Sequence, residues 1–148
     1  MFYRAIRMIF RKPASAILLF RMSSWIFAVT VLLRFLSLPR VMQIVRAEFR
    51  APLESSTSET VQRQLGQQID MLLGQQFLSL TTTCWKRAIV LYRFLGLAGI
   101  ESRVIFGVRK RADGSLEGHA WLERDGLPIL ETTPPAYSVT FSFPAQEP

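Results

Sequence analysis

The fold is decided by one continuous stretch, residues 84–131, which reads CWKRAIVLYRFLGLAGIESRVIFGVRKRADGSLEGHAWLERDGLPILE. Its first part carries apolar residues at a helical spacing, in Ala88, Leu91 and Leu95, and predicts a helix that opens at Cys84 and buries one face. Further on, the apolar spacing changes from about 3.6 to two, which predicts strands. We therefore expect an α+β domain in which this helix packs on an antiparallel sheet.

Two tight turns divide the strand-like part into a meander. Ala112-Asp113-Gly114-Ser115 predicts a hairpin, and Asp125-Gly126 predicts a second one. The predicted strands are 103–109, 116–124, 127–132 and, at the edge of the sheet, 137–143. Before the meander, a helix is predicted from near Ser58 or Thr60 to about Phe77, with its apolar stripe beside the helix of Cys84.

Cys84 is the only cysteine and stands directly after three threonines. An N-cap at Thr82 or Thr83 would place Cys84 in the first helical turn, where free backbone N–H groups and the helix dipole favour an anion. That position favours a nucleophilic thiolate. The N–H groups of Cys84 and Trp85 are the predicted oxyanion hole, because they point to where a tetrahedral oxyanion would develop.

His119 is the only histidine and lies in the run GHAWLE of the second predicted strand. On an adjacent antiparallel strand, Glu131 is a neighbour that can orient the imidazole. The residues thus predict a nucleophile, a base and an orienting acid in the order Cys84, His119, Glu131. Asp125 is the rival acid, although its place before Gly126 is typical of a turn residue.

The stretch resembles the transglutaminase-like cysteine protease of lasso peptide biosynthesis, the stand-alone leader peptidase component of the split B protein. The resemblance covers roughly residues 60–132 and lies in the run CWKRA, the strand end GVR and the run HAWLE with its DG turn. Two residues depart from that family's pattern: Trp85 replaces an aliphatic residue, and Glu131 stands where aspartate is more common.

The resemblance implies a transglutaminase-like or papain-like fold and a peptidase that cuts the leader from a lasso peptide precursor. Its implied partners are the precursor's leader peptide, a separate leader-recognition protein and a lasso cyclase. Arg87 and Trp121 fall on the family's pattern and are expected either to contact substrate or to brace the helix against the sheet. Two alternatives stay open: a non-catalytic peptide-binding or membrane-surface scaffold, and a transamidase or other peptide amidohydrolase.

The N-terminal third differs in composition from the rest. Residues 1–50 carry nine Lys/Arg and one acid, a net charge of +8, while residues 51–148 carry nine Lys/Arg and ten acids. Because charged residues interrupt its apolar runs, we expect basic apolar helices broken at Pro13 and Pro39 rather than a signal peptide or a membrane span. Such helices either pad the catalytic domain or lie on an anionic membrane surface.

These patterns divide the chain into N-terminal helices (1–50), a polar linker (51–60) and a catalytic domain (61–148). One cysteine and one histidine cannot close a zinc site, so neither a metal nor another cofactor is expected. Nucleic acid is not an expected partner, since the basic excess is confined to an apolar segment. A single cysteine fits a reducing compartment, so we expect a cytoplasmic protein, peripheral at the inner face of the membrane if the helices bind lipid.

Overall fold

The computed structural model describes residues 13–47, 55–74, 84–131 and 134–145. Four helices come first: α1 (Pro13–Phe35), α2 (Leu38–Val45), α3 (Ser55–Gly74) and α4 (Cys84–Leu97). Four strands follow: β1 (Arg103–Lys110), β2 (Leu116–Arg124), β3 (Leu127–Ile129) and β4 (Ser138–Phe143). The strands form one antiparallel sheet in the order β3-β2-β1-β4. The predicted α+β class is confirmed.

The β1–β2 hairpin forms where its turn chemistry predicts it. Asp113 accepts hydrogen bonds at Oδ1 from the backbone N–H of Ser115 (2.9 Å) and from its hydroxyl (2.6 Å). These bonds lower the pKa of Asp113, because they favour the ionised carboxylate. The backbone closes the turn between Arg111 and Ser115, whose N and O atoms lie 2.8 Å apart.

One hydrophobic core joins the four helices to one face of the sheet. It contains fully buried residues of every helix, such as Met22 in α1 and Val41 in α2. From β2 it takes Ala120 and Leu122, as the period-two alternation predicts. Helices α1 and α2 therefore share the core of the sheet that carries His119. The division of the chain at residues 50 and 60 stays a prediction.

Two predicted element boundaries are wrong. Helix α3 begins at Ser55 rather than near Ser58 or Thr60, so it includes residues 55–60 of the polar stretch interpreted as a linker. Serine and threonine favour the first turns of helices as well as loops, and low hydrophobicity alone does not separate the two. Ser58 is 1% exposed, and its hydroxyl accepts a hydrogen bond from Arg124 of β2. The predicted end of this helix near Phe77 lies outside the described residues.

The third predicted strand, 127–132, is shorter in the structure. Strand β3 ends at Ile129, because Leu130 has a φ of +59°, in the left-handed region that a regular strand cannot contain. The chain therefore leaves the sheet one residue before Glu131. This bend decides the geometry of the site.

Candidate active site

Cys84 is the first residue of α4, as predicted. Its thiol is free, and the residue is half-buried against the edge of the hydrophobic core. In an α-helix the first four N–H groups have no acceptor within the helix, so those of Cys84 and Trp85 are candidate donors to an anion. The proposed capping threonines, Thr82 and Thr83, lie outside the described residues.

His119 and Glu131 form a pair. Nε2 of His119 lies 3.2 Å from Oε2 of Glu131, and both side chains are largely buried, with 25% and 17% of their surface exposed. Because Nε2 contacts the carboxylate, Nδ1 is the ring nitrogen that remains to exchange a proton with another group. The structure therefore brings together the imidazole and the acid that the sequence analysis paired.

The short β3 explains how Glu131 reaches His119. Among the described residues, strand β3 pairs with β2 only at residues 122–124, which leaves the edge of β2 open beside His119. A regular strand would have placed Glu131 on the same face as Ile129, which packs against the core. The bend at Leu130 breaks this alternation and brings the carboxylate to the imidazole at the open edge.

Arg87 ties the His119–Glu131 pair to the helix of the cysteine. Its Nη1 lies 3.4 Å from Oε1 of Glu131, and its Nη2 donates to the carbonyl of Leu130 at 3.0 Å. Asp70 of α3 holds the other side of the guanidinium through Nε (2.6 Å) and Nη2 (3.2 Å). Since residues three apart share a helix face, Cys84 lies one turn from the residue that fixes the acid.

Asp125 does not take part in this network. Its side chain is 89% exposed, its φ of +53° is that of a turn residue, and its ion-pair partner is Arg124 at 3.7 Å. It follows His119 by six residues along β2, which separates the two by about 20 Å at about 3.3 Å per residue. Of the two candidate acids, the structure brings only Glu131 to the imidazole.

An aromatic cluster surrounds the imidazole on the sheet face opposite the core. The ring of His119 stacks on Trp121, with centroids 5.9 Å apart, and the ring of Tyr137 lies 5.3 Å from His119 on its approach to β4. Trp121 is 3% exposed and donates its Nε1–H to Glu123 at 2.9 Å. The buried Trp121 ring therefore supports the His119 ring from one side. The guanidinium of Arg109 lies over the Tyr137 ring, 4.6 Å from its centroid.

Gly107 makes room for this cluster. It pairs with His119 across β1 and β2, and β4 has a register shift at the same position. A Cβ atom on Gly107 would lie 2.8 Å from Cβ of Tyr137 and 3.0 Å from the ring of Trp121. Both distances are shorter than a normal carbon–carbon contact.

We expect Gly107→Ala to destabilise the protein by about 1–3 kcal/mol, because the Tyr137 backbone and the Trp121 ring must both move. Thermal and urea unfolding measure this loss. Gly118→Ala is the matched control on the facing strand, where a Cβ would only meet the carbonyl of Gly107 at 3.9 Å. Equal stability of the two variants would contradict the conclusion that Gly107 is needed to make room for Tyr137 and Trp121.

Lys86 is a buried cation in the first turn of α4. It is 4% exposed, and its Nζ lies 5.2 Å from the centroid of the Trp85 ring. Burial lowers the pKa of Lys86, because an apolar environment penalises the ammonium. Within the described part of the chain, no carboxylate pairs with it.

We expect Lys86→Met to raise the melting temperature by about 2–4 °C, or about 1 kcal/mol, by removing this buried charge. Lys86 binds its proton more tightly in the unfolded chain than in the folded protein. The gain in stability from Lys86→Met is therefore full below the folded pKa of Lys86 and disappears as the pH rises to the ordinary pKa of 10.5. Lys110→Met, at an exposed lysine, is the control. A gain that persists at high pH would be inconsistent with a charge effect.

Sequence reasoning missed two members of the site. Asp70 lies near the C-terminal end of α3 and contacts Arg87 across the helix pair, and no local pattern around it signals that contact. Tyr137 was interpreted as the start of an edge strand, whose alternation is the only sequence signal that it faces the sheet. Among the described residues, no group of three or more His, Cys, Asp or Glu side chains could hold a metal ion.

The helix that opens with Cys84 packs on an antiparallel sheet, which makes this an α+β domain with its candidate site between helix and sheet. The sequence profile of the transglutaminase-like superfamily matches residues 25–142, so the chain belongs to that superfamily. This superfamily includes cysteine peptidases and transamidases. Searches of curated proteins and of solved structures found no match.

Proposed function

We propose that this protein is a cysteine peptidase that removes the leader from a ribosomally made lasso peptide precursor. The observation that carries the proposal is the His119–Glu131 pair, which Arg87 fixes to the helix that opens with Cys84. Superfamily membership supports a thiol enzyme of this general class. The resemblance of residues 60–132 to lasso leader peptidases supports the choice of substrate.

The chemistry begins with the tautomer of His119. If Nε2–H donates to Glu131, Nδ1 carries a lone pair and accepts the proton of the Cys84 thiol. The sulfur then attacks the carbonyl carbon at the leader–core junction, and the N–H groups of Cys84 and Trp85 stabilise the oxyanion. Glu131 stabilises the imidazolium formed at this stage.

Collapse of this intermediate breaks the peptide bond. His119 donates its proton to the leaving nitrogen, which departs as the amino terminus of the core peptide, and the leader stays on Cys84 as a thioester. Water then attacks the thioester and gives its proton to His119. The Cys84 sulfur leaves and regains a proton, and the leader departs with a new carboxylate.

The partners follow from this reaction. A separate leader-recognition protein would present the leader, and a lasso cyclase would use the amino terminus that cleavage exposes. Both reactions belong in the cytoplasm, where the precursor is made. The same thioester would give a transamidase if an amine replaced water as acceptor, and the superfamily includes such enzymes.

The test is a cleavage assay in ¹⁸O-labelled water. The full chain is incubated with a lasso peptide precursor and its leader-recognition protein, and the products are analysed by mass spectrometry. Peptide hydrolysis predicts a free core peptide and a leader that carries one ¹⁸O in its new carboxylate. An amide of the leader with an added primary amine would indicate transamidation instead. Persistent intact precursor would overturn the proposal and favour a non-catalytic scaffold.

A further inference from the structure

Helix α1 is apolar on two opposite sides. One side is buried in the core through Leu19, Met22, Ile26 and Val29, which are 0–8% exposed. The other side bears large apolar residues that are 39–80% exposed: Ile17, Phe20, Phe27, Val31 and Phe35. We call this second set the outer stripe. Three of its five members are phenylalanine.

The outer stripe is continuous and narrow. At about 100° per residue, its five residues fall within an arc of about 80° around the helix. Ser24 lies in the same arc, and its hydroxyl donates to the carbonyl of Phe20 at 2.9 Å. The polar group in the stripe is thus satisfied within the helix, which lowers the cost of covering the stripe with an apolar medium.

Positive charge borders the outer stripe. Arg21 lies about 40° beyond one edge of the arc and Arg34 about 20° beyond the other, and both are exposed. Residues 13–47 contain four arginines and no acidic residue, and residues 1–12 add four further cations to the sequence. A surface with an apolar centre and cationic borders complements an anionic lipid surface.

The buried side of α1 limits how the helix can be oriented relative to a membrane. Residues Ser15–Phe35 are long and apolar enough to cross a membrane by length and composition alone. A helix that crossed the bilayer would have to withdraw Met22 and Val29, both 0% exposed, from the core that they share with α4. A helix that keeps these residues in the core can therefore contact a membrane only by lying along its surface.

We propose that α1 docks the protein on an anionic membrane, with its axis in the membrane plane and its outer stripe inserted among the lipids. A second copy of the chain fits this surface less well. In a two-fold dimer through the outer stripe, the bordering arginines of the two copies would approach each other without acids to pair them.

The test is co-sedimentation of the full chain with vesicles of phosphatidylglycerol and phosphatidylcholine, compared with vesicles of phosphatidylcholine alone. We expect strong binding to the anionic vesicles only. Raising the salt from about 0.1 M to about 1 M shortens the screening length from about 10 Å to about 3 Å and should release much of the protein. Alkaline carbonate should also extract it, whereas retention after such extraction would overturn the in-plane orientation.

The variant Phe20→Gln/Phe27→Gln removes two exposed rings without touching the core. We expect its vesicle partition coefficient to fall at least about tenfold. The matched control is Leu116→Gln/Leu127→Gln, which removes two exposed leucines from the sheet and should bind like the parent protein. Equal loss in both variants would overturn the proposal. Absence of vesicle binding would also overturn it. A dimer of the parent protein in sedimentation analysis that is lost in the phenylalanine variant would overturn it as well.

Discussion

Replacement of Cys84 by alanine is expected to abolish cleavage of the precursor, with turnover reduced by about 10⁴-fold or more. The variant lacks the sulfur that forms the thioester, and no other residue of the described network is a nucleophile of comparable strength. Leader release is measured by mass spectrometry over a long incubation. Because the thiol is only half-buried and lies at the start of α4, the variant should unfold at nearly the parent temperature.

Cys84→Ser is the companion variant. It keeps the branching of the side chain and replaces sulfur by oxygen, but a hydroxyl is a much weaker nucleophile than a thiolate at neutral pH, so turnover should remain close to zero. Undiminished cleavage by either folded variant would contradict the proposed mechanism. Alkylation of the parent protein gives an independent readout, because the chain has a single cysteine. One adduct per chain should eliminate activity, and bound precursor should slow its formation.

The sequence predicted those parts of the fold that depend on local patterns. The helix opening at Cys84 was predicted from its apolar spacing, and the hairpin was predicted from the turn residues 112–115. In the structure, Asp113 accepts hydrogen bonds from Ser115 in that turn. Alternation along β2 also places Ala120 and Leu122 on one face, and both are buried. Each of these features is set by residues within a few positions of one another, where spacing and turn chemistry determine conformation.

The pairing of His119 with Glu131 was predicted by an argument that is only half right. The order of the strands does bring them together, but strict alternation along 127–132 would have directed the carboxylate to the core face. The left-handed conformation of Leu130 provides the geometry, and leucine is not a residue whose sequence context predicts positive φ. The acid was therefore predicted, and the backbone bend that positions it was not.

Contacts between distant segments could not be predicted from the sequence. Arg87 pairs with Asp70 across α3 and α4, and Arg124 of β2 contacts Ser58 of α3. Each contact depends on how two elements pack, and the sequence around each residue is compatible with a solvated surface charge. The burial of Ser58 likewise depends on the position of Arg124, a contact that the local sequence does not reveal.

Glu131→Gln is expected to lower turnover by about 10²–10⁴-fold while leaving the fold intact. Glutamine keeps the size of the side chain but removes the negative charge that favours an imidazolium, and its amide can present a donor to Nε2 and select the wrong tautomer. Glu131 acts through His119, so kcat should fall while KM changes little. Arg87 retains Asp70 as a partner, which limits the loss of stability.

Asp125→Asn is the matched control, because it makes the same change of charge at an acid on the same sheet that is 89% exposed. It should cleave the precursor like the parent protein. Glu131→Asp supplies the acid more common in the resembling family and should recover part of the activity, since a carboxylate one methylene shorter can still favour the correct tautomer. If the reaction needs a negative charge at position 131, the Asp variant should be more active than the Gln variant. If Glu131 has only a structural role, the two variants should be equally active. If Asp125→Asn lost activity and Glu131→Gln retained it, Asp125 and not Glu131 would be the acid that orients His119.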